Sequence, residues 1–340
     1  MAVKGQRCSR TASARRRALL CVAAAAAVLP WAPRAEGRHK RIIWLGYGEE
    51  YKKRIRDEFR ARGIIEGRDI TLAFQPLPGG LERESDQLAD ALVRSRPDII
   101  VMEAHPALQS LKKRTRDIAI VFYNSGPNPA QIGLVESLAR PGGNITGSAM
   151  TSDQHEYELL RWGTFKQLAP SLKRVAVIVA KDFVRELEGR DPMWYTESKK
   201  ILWSAGAKLG IEFVLLEVPK DATKDAIASM VKASGAQAAI LQPYTTREAA
   251  EFVYSAPIPT FCWGFAPVRK GCLVGFGYHG VEGENYAVQA VARILRGDSP
   301  AVIPVYVLNT VEFALNRRRA RELGIDIPPS FLIQAKEVYD

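Results

Sequence analysis

Residues 174–180 read Arg-Val-Ala-Val-Ile-Val-Ala, the clearest pattern of a buried strand in the 340-residue chain. The run is apolar at successive positions, as expected of a strand inside a sheet that helices cover on both faces. A helical pattern follows over 194–209, and a further strand pattern over 213–218. Strands that alternate with helices at this spacing form βαβ units, so this region predicts a mainly parallel sheet.

The same alternation occurs upstream, from the apolar strand Ile42-Ile43-Trp44-Leu45 to a fourth strand over 118–122. The helix between the first two strands carries Tyr51, Ile55 and Phe59 on one stripe, because they are spaced by four. Two successive series of similar size predict an α/β fold with two doubly wound parallel-sheet lobes.

Turn-rich segments mark where the chain would pass from one lobe to the other. Three such places, around 147–151, 276–280 and 300–312, predict a hinge of three crossings. We therefore expect an N-terminal lobe of residues 40–148 plus 278–302 and a C-terminal lobe of residues 149–277 plus 303–340. Open α/β sheets bind ligands beyond the carboxyl ends of their strands, so the cleft between the lobes is the expected ligand site.

The first 35 residues contain seven basic residues, no acidic residue and an alanine-rich apolar run from Ala18 to Leu29. This order of features predicts a secretory signal peptide over 1–35, cleaved near Ala35. A disordered basic tail and a membrane anchor are the alternatives, but the apolar run is short for a membrane span. We expect the mature protein to be periplasmic, and the sequence leaves the export route open.

Loss of this segment changes the charge of the protein. The whole chain has 48 basic and 37 acidic side chains, a net charge of +11. Without the seven basic residues of the segment the net charge is +4, which argues against a nucleic-acid partner. About 305 residues remain, enough for two lobes. Their apolar stretches are too short to predict a transmembrane helix.

Cys8 and Cys21 lie within the predicted signal peptide, which leaves Cys262 and Cys272 in the mature chain. These two cysteines can pair in an oxidising compartment. The alternative, which we favour at this point, is two buried free thiols in adjacent strands, because their spacing does not fix the distance between their Cα atoms.

The sequence lacks the motifs of catalysis and cofactor binding. Gly46-Tyr47-Gly48 is without the third glycine of a dinucleotide fingerprint, and no P-loop, zinc-protease pair or nucleophile elbow occurs. The four histidines, at positions 39, 105, 155 and 279, do not have metal-ligand spacing. We expect no cofactor, no metal and no enzymatic activity.

Residues 137–147, Ser-Leu-Ala-Arg-Pro-Gly-Gly-Asn-Ile-Thr-Gly, resemble the characteristic segment of ABC-transporter substrate-binding proteins of the tryptophan/tyrosine-binding type. Residues 63–70, 96–100 and 323–332 are similar to further segments of that family. The resemblance covers about residues 40–340 and implies a periplasmic binding protein type I fold. It also implies a receptor that traps a small organic ligand by hinge closure, passes it to an ABC permease in the inner membrane, and catalyses no reaction.

In that family, loops after the strands of both lobes contact the ligand. The resemblance implies these ligand-binding residues: in the first lobe Gly46, Tyr47, Glu103, His105, Asn124 and Ser125, and in the second Lys181, Asp182, Tyr244, Thr245, Trp263 and Tyr278. Glu103 or Asp182 can pair with an ammonium group, and the aromatic side chains can stack on a flat ligand. The alternative is a core position for Trp263, and a solvent-facing helix start for Lys181 and Asp182.

Two of these loops depart from the pattern of the family. Glu103-Ala104-His105-Pro106 stands where relatives often have a small residue before Thr-Pro, and Asn124-Ser125 stands where they often have Asp-Pro. A glutamate in the first loop would repel a ligand carboxylate placed there. The departure favours a cationic, amide-bearing or neutral ligand over an ordinary amino acid.

Two other functions stay open at the level of sequence. A protein of the same fold can present its ligand to a sensor kinase instead of a permease. An exported α/β enzyme would need titratable groups that converge in the cleft, such as Glu103, His105 and Asp182.

Overall fold

A computed structural model describes residues 39–46, 49–76, 82–103, 106–182, 184, 193–242, 245–277, 281–308 and 312–340. The predicted signal peptide lies outside the described residues, as do the predicted site residues Tyr47, His105, Tyr244 and Tyr278. Residues 39–340 form one unit by their internal contacts.

The first sheet is parallel throughout. Its strands are β1 (Lys40–Leu45), β2 (Ile70–Gln75), β3 (Ile99–Glu103), β4 (Ala119–Ser125), β5 (Ile145–Ala149) and β11 (Tyr306–Val307). They lie in the order β11-β5-β4-β3-β1-β2. Strand β1 is fully buried from Ile42 to Leu45, because side chains from the helices pack on both faces of the sheet.

The second sheet is mixed. Its strands are β6 (Arg174–Ala180), β7 (Glu212–Val218), β8 (Ala238–Leu241), β9 (Thr260–Trp263), β10 (Val274–Gly277), β12 (Glu312–Asn316) and β13 (Glu337–Tyr339). They lie in the order β13-β12-β10-β9-β8-β6-β7. Among the strands described, the pair β10–β12 is antiparallel and all other neighbouring pairs are parallel, so β12 and β13 run opposite to the rest.

The two sheets share one strand order. The first contains β2-β1-β3-β4-β5, and the second contains β7-β6-β8-β9-β10, which is the same arrangement of five successive strands. In each sheet the order of the strands therefore reverses at one point, between β1 and β3 in the first sheet and between β6 and β8 in the second, as in doubly wound sheets. The predicted α/β fold with two doubly wound sheets is confirmed, and both sheets are mainly parallel.

Helices cover both faces of each sheet. They are α1 (Glu49–Ala61), α2 (Glu82–Arg94), α3 (Ala107–Arg114), α4 (Gln154–Leu168), α5 (Met193–Leu209), α6 (Lys224–Ala233), α7 (Arg247–Ser255), α8 (Ala266–Arg269), α9 (Val281–Leu295), α10 (Arg317–Glu322) and α11 (Pro329–Gln334), with a 3-10 turn at Pro300–Val302. On the first sheet, α1 and α9 pack on one face and α2 and α3 on the other. On the second, α4 and α5 lie opposite α6 and α7.

Polar residues fix where several of these helices begin. The Asp153 carboxylate accepts hydrogen bonds from the backbone of His155 and Glu156 at the start of α4, and Thr223 and Thr246 cap α6 and α7. Such caps satisfy backbone N–H groups that a helix start leaves free. Within the described ranges, the helices lack the combination of length and apolar character needed to cross a bilayer.

The chain passes between the sheets three times, from β5 to α4, from β10 to α9, and from β11 to β12. The prediction placed residues 303–340 in the second lobe, and the structure corrects this point. Tyr306 and Val307 pair with Ser148 and Ala149 of the first sheet. The segment stays there because Ile303 and Val305 are buried in the cores of that sheet. The division into lobes otherwise stays a prediction.

Cys262 and Cys272 form a disulfide bond, so the expectation of two free thiols was wrong. Cys262 lies in β9, and Cys272 lies two residues before the start of the neighbouring parallel strand β10. This pairing brings the two Cα atoms to 6.5 Å, within the range that a disulfide can bridge. The spacing in sequence could not reveal that distance.

Candidate functional site

Eight of the twelve predicted site residues are described, and they gather at the carboxyl ends of neighbouring strands. In the first sheet, at the ends of β1, β3 and β4, lie Gly46, Glu103, Asn124 and Ser125; in the second, after or at the ends of β6, β8 and β9, lie Lys181, Asp182, Thr245 and Trp263. The other four, Tyr47, His105, Tyr244 and Tyr278, lie outside the described residues. Their role as ligand contacts stays a prediction.

Three aromatic side chains form a hydrogen-bond chain beside the end of β1. Trp44 Nε1 donates to the Tyr51 hydroxyl at 2.5 Å, and the hydroxyls of Tyr51 and Tyr123 lie 2.9 Å apart. Tyr123 donates to the carbonyl oxygen of Leu45 at 3.1 Å, so the proton between the two tyrosines comes from Tyr51. Burial raises the pKa of both hydroxyls, which keeps them protonated.

Two carboxylates lie close enough to this chain to act on it electrostatically. Glu103 ends β3 in register with Tyr123, is partly exposed, and has a pKa raised by burial. Glu284, in the first turn of α9, is buried and forms an ion pair with Arg54 of α1. Burial raises the pKa of Glu284 to about 7, although Arg54 opposes this shift, and the negative charge of Glu103 adds to it.

Asn124 follows Tyr123 in β4 and has a left-handed backbone, with φ of 58°. Its side-chain oxygen Oδ1 is buried and has no hydrogen-bond partner in the described part of the chain. This oxygen packs against Gly283 of α9, and a Cβ atom on residue 283 would overlap it. In contrast, the buried Ser125 hydroxyl already donates to the Pro127 carbonyl oxygen at 2.8 Å.

Trp263 marks the end of β9 in the second sheet and is partly exposed. The guanidinium of Arg161, from α4, lies 3.9 Å from the centroid of its ring. The ring of Tyr157 is nearly parallel to it, at 8° and 6.4 Å between centroids. Met150 and Leu308, which follow β5 and β11, pack with these rings. Trp263 therefore lies where the chain crosses between the sheets.

Arg161 is fully buried and forms an ion pair with Glu158, with 2.6 Å between Nη2 and Oε2. Burial raises the pKa of Glu158, and Arg161 opposes that shift. Among the described residues, Arg161 Nε and Nη1, the Tyr157 hydroxyl and Trp263 Nε1 lack hydrogen-bond partners. This end of the second sheet therefore offers hydrogen-bond donors, whereas the end of the first sheet offers the acceptor Asn124 Oδ1 and one donor, Arg54 Nη1.

The remaining predicted residues of the second sheet have simpler surroundings. Lys181 is partly exposed and Asp182 exposed, in a helical segment after β6. The buried hydroxyl oxygen of Thr245 has no hydrogen-bond partner within the residues described. Across the same residues, no three His, Cys, Asp or Glu side chains converge as the ligands of a metal would.

Four residues at these strand ends were missed by the sequence reasoning, since they arrive from helices: Tyr51, Tyr157, Arg161 and Glu284. The sequence did contain a signal for Tyr157 and Arg161. Glu158 and Arg161 stand beside Tyr157 and Trp162 on one helix, and charged residues on an apolar helix face indicate a buried, paired charge. Tyr51 had been assigned to a core stripe, which is also where its ring lies.

A family model described as ABC transporter substrate binding protein matches residues 50–339. A curated relative, the tyrosine-binding protein of Clostridioides difficile (strain R20291), is 28% identical over 131 residues, which cover 38% of this chain and 36% of the relative. The match thus spans about a third of that protein's length.

Two solved structures have the same fold. One is an ABC domain in complex with L-Trp from Streptococcus pneumonia, with a TM-score of 0.70, 23% identity, and coverage of 88% of this chain and 100% of that one. The other is a conserved domain protein from Vibrio cholerae O1 biovar El Tor, with a TM-score of 0.70, 22% identity, and coverage of 88% and 99%. At these identities the likeness shows the fold alone.

Proposed function

The chain belongs to the family of ABC transporter substrate-binding proteins, and from this premise we propose that it is the extracytoplasmic solute receptor of an ABC importer. It binds a small organic ligand at the carboxyl ends of its two sheets. The three crossings act as a hinge, and closure about them traps the ligand. The closed form then delivers the ligand to a permease in the inner membrane.

One observation carries this proposal. Two sheets with the same strand order carry, at their carboxyl ends, buried polar atoms that lack hydrogen-bond partners among the described residues: Asn124 Oδ1 and Arg54 Nη1 at the first, and donors of Arg161 and Trp263 at the second. Buried polar atoms are nearly always paired in a folded protein, so unpaired ones at strand ends favour a ligand that supplies the partners. The three passages of the chain between the sheets support a hinge.

The relatives guide the choice of ligand. One is a tyrosine-binding protein, and one solved structure contains L-Trp. An aromatic or amino-acid-like molecule is therefore the first class to test here. Trp263 and Tyr157 at the crossing support this choice, because aromatic side chains stack on flat ligands. No step of the proposed function requires catalysis.

Export is part of the same proposal. The segment 1–35 acts as a signal peptide, cleaved near Ala35, and the receptor works in the periplasm. Expression of the full chain in a Gram-negative host should release a protein that begins near Glu36 into the periplasmic fraction. Intact-mass measurement checks this, and a full-length protein that stays in the cytoplasm would contradict it.

A thermal-shift screen of small metabolites tests ligand binding. A cognate ligand should raise the melting temperature, because it binds the folded state and not the unfolded chain. At a ligand concentration of 100 times Kd the stabilisation is roughly 2.7 kcal/mol. Absence of any shift across a broad panel of amino acids, amines, organic acids and sugars would count against a solute receptor.

The transport partner needs a separate experiment. The permease and ATPase encoded by the same organism, reconstituted in vesicles, should hydrolyse ATP faster when the ligand-loaded protein is added. The ligand-free protein serves as the control. Normal ligand binding without stimulation of the transporter would favour the sensor-kinase alternative.

A further inference from the structure

Glu103 is a carboxylate that ends a central strand, at the edge where the ligand is proposed to bind. Strand β3 lies between β1 and β4 in the first sheet. The register with Tyr123 puts both side chains on the face covered by α1 and α9. Glu103 thus lies beside Tyr123 in the sheet, and its charge acts on the pKa of Tyr51, Tyr123 and Glu284.

The two tyrosines cannot supply Glu103 with a hydrogen bond. Each hydroxyl has one proton to donate. Tyr123 gives its proton to the Leu45 carbonyl oxygen, and Tyr51 gives its proton to Tyr123. The hydrogen-bond chain that begins at Trp44 is therefore complete, and it leaves no hydroxyl donor for the carboxylate.

Arg54 pairs with Glu284 through Nη2, while its Nη1 is buried without a hydrogen-bond partner among the described residues. Within those residues Glu103 itself forms no ion pair. Desolvation alone accounts for the raised pKa of Glu103, with no contribution from a positive charge. Glu103 is only partly exposed, and a desolvated carboxylate that has no cation or donor among the described residues costs free energy. A cationic group that binds there lowers that cost.

A second unpaired acceptor lies at the end of the adjacent strand. Asn124 is 7% exposed, and its Oδ1 is buried without a partner in the residues described. It contacts Gly283, the residue before Glu284, so it belongs to the same end of the sheet. Glu103 and Asn124 both require a donor, and one of them carries negative charge.

We propose that Glu103 is the specificity-determining residue of the ligand site and that it receives a protonated nitrogen of the ligand at the end of β3. The inference rests on the proposed function and narrows it: the ligand is an organic amine or an amino-acid-like zwitterion whose nitrogen points toward the first sheet. We expect organic acids without a basic nitrogen to bind poorly, because Glu103 repels a carboxylate at this position and lacks a cationic partner on such a ligand.

Matched triads of small molecules test this inference. One triad is L-tyrosine, tyramine and 3-(4-hydroxyphenyl)propanoate; the other is L-leucine, 3-methylbutylamine and 4-methylpentanoate. Each triad keeps one side chain and changes only the charged groups. These six probes are added to the thermal-shift panel, with all panel members sorted by the presence of a protonated nitrogen. We expect stabilisation only by members that carry one.

The Glu103→Gln variant keeps the size of the side chain and removes its charge. It should bind the best nitrogen-bearing member of the panel roughly 10- to 100-fold more weakly by calorimetry, as expected for loss of a charge-assisted hydrogen bond. Glu212→Gln is the matched control, because Glu212 is an exposed carboxylate at the first residue of β7, at the end of its sheet opposite to the candidate site. It should bind as the parent does. Urea unfolding of both variants establishes that they fold.

The outcomes separate the inference from the function on which it rests. Stabilisation by an acid or neutral molecule without a basic nitrogen overturns the inference and leaves a solute receptor intact. Unchanged affinity of the folded Glu103→Gln protein for the amine also overturns it. No binding by any panel member counts against the receptor function itself, and the inference falls with it.

Discussion

Arg161 and Glu158 are a charged pair inside the second sheet's helical layer, fully buried and nearly so. Neither charge can reach water, so each depends on the other for its stabilisation. Arg161→Met should therefore destabilise the protein by about 3–5 kcal/mol, since it leaves the Glu158 carboxylate buried without a partner.

The double variant Glu158→Leu/Arg161→Met is the control for that prediction. Replacement of both charges by apolar groups is often neutral for stability, so the double variant should recover most of the loss. Urea unfolding measures all three proteins. A double variant as unstable as Arg161→Met would mean that the pair has a further role, such as holding the ring of Trp263 in place.

Two helical glycines differ in what surrounds them. A Cβ on Gly283 would overlap the side-chain oxygen of Asn124, whereas a Cβ on Gly163 in α4 would have no atom within 4 Å. Gly283→Ala should destabilise the protein by about 1–3 kcal/mol through overpacking. Gly163→Ala should stabilise it by about 0.5–1 kcal/mol, because alanine loses less backbone entropy in a helix. Equal effects in thermal unfolding would contradict this contact.

Glu284 predicts a pH dependence of stability. Its folded-state pKa is about 7, against an ordinary value of 4.5. Between these values the folded protein holds a proton that the unfolded chain has lost, so this group's contribution to the free energy of unfolding falls as pH rises. The Glu284→Gln variant lacks this contribution.

We expect the parent protein to lose stability relative to Glu284→Gln between about pH 4.5 and pH 7, by on the order of 1–3 kcal/mol. Urea unfolding at several pH values gives the difference. Arg54 loses its partner in the variant at every pH, so only the slope is informative. Parallel stability curves would show that Glu284 is already ionised near pH 5 in the folded state.

At the level of residues, the sequence indicated part of the candidate site. Strand-end positions such as Glu103, Asn124 and Trp263 followed from the alternation of strands and helices together with the resemblance. The groups that engage or surround them did not, because Arg161 and Glu284 come from helices whose approach depends on packing across the whole sheet. The hydrogen bond from the Ser125 hydroxyl to the Pro127 carbonyl oxygen likewise depends on a turn that the sequence pattern does not specify.

At the level of elements, the disulfide joins β9 to the residues just before its neighbour β10. Its separation of ten residues closes a short loop, which in the chain-entropy model stabilises the protein by about 3 kcal/mol. A reducing agent should therefore lower the midpoint of urea unfolding. The double variant Cys262→Ala/Cys272→Ala should not respond to reduction, and a parent protein equally insensitive would indicate that the bond does not form.

The alternation of apolar strands with amphipathic helices predicted the parallel strands well. Each of these strands is buried by helices that are its neighbours in sequence, so the pattern is visible locally. The strand Glu312–Asn316 was not predicted, and neither was the pairing of Tyr306–Val307 with the first sheet. Both lie in the last crossing, where pairing partners are distant in sequence. Long-range pairing of this kind leaves no local period in the chain.

At the level of the whole molecule, the hinge proposal predicts a change of shape. The radius of gyration in small-angle scattering should decrease when the best panel ligand is added, because closure brings the two sheets together. Glu103→Gln, at the same ligand concentration, should show a smaller change. A stabilised protein whose radius stays constant would indicate a site that is already closed before the ligand binds.

Trp263 has an optical consequence. Its indole ring is partly exposed, lies 3.9 Å from the Arg161 guanidinium, and belongs to the residue after the disulfide-bonded Cys262. Trp44 and Trp162, by contrast, are fully buried in the cores. A solute that binds against Trp263 would change the surroundings of its indole and so alter its emission. The receptor would thus report its own occupancy in its intrinsic fluorescence, without an added dye.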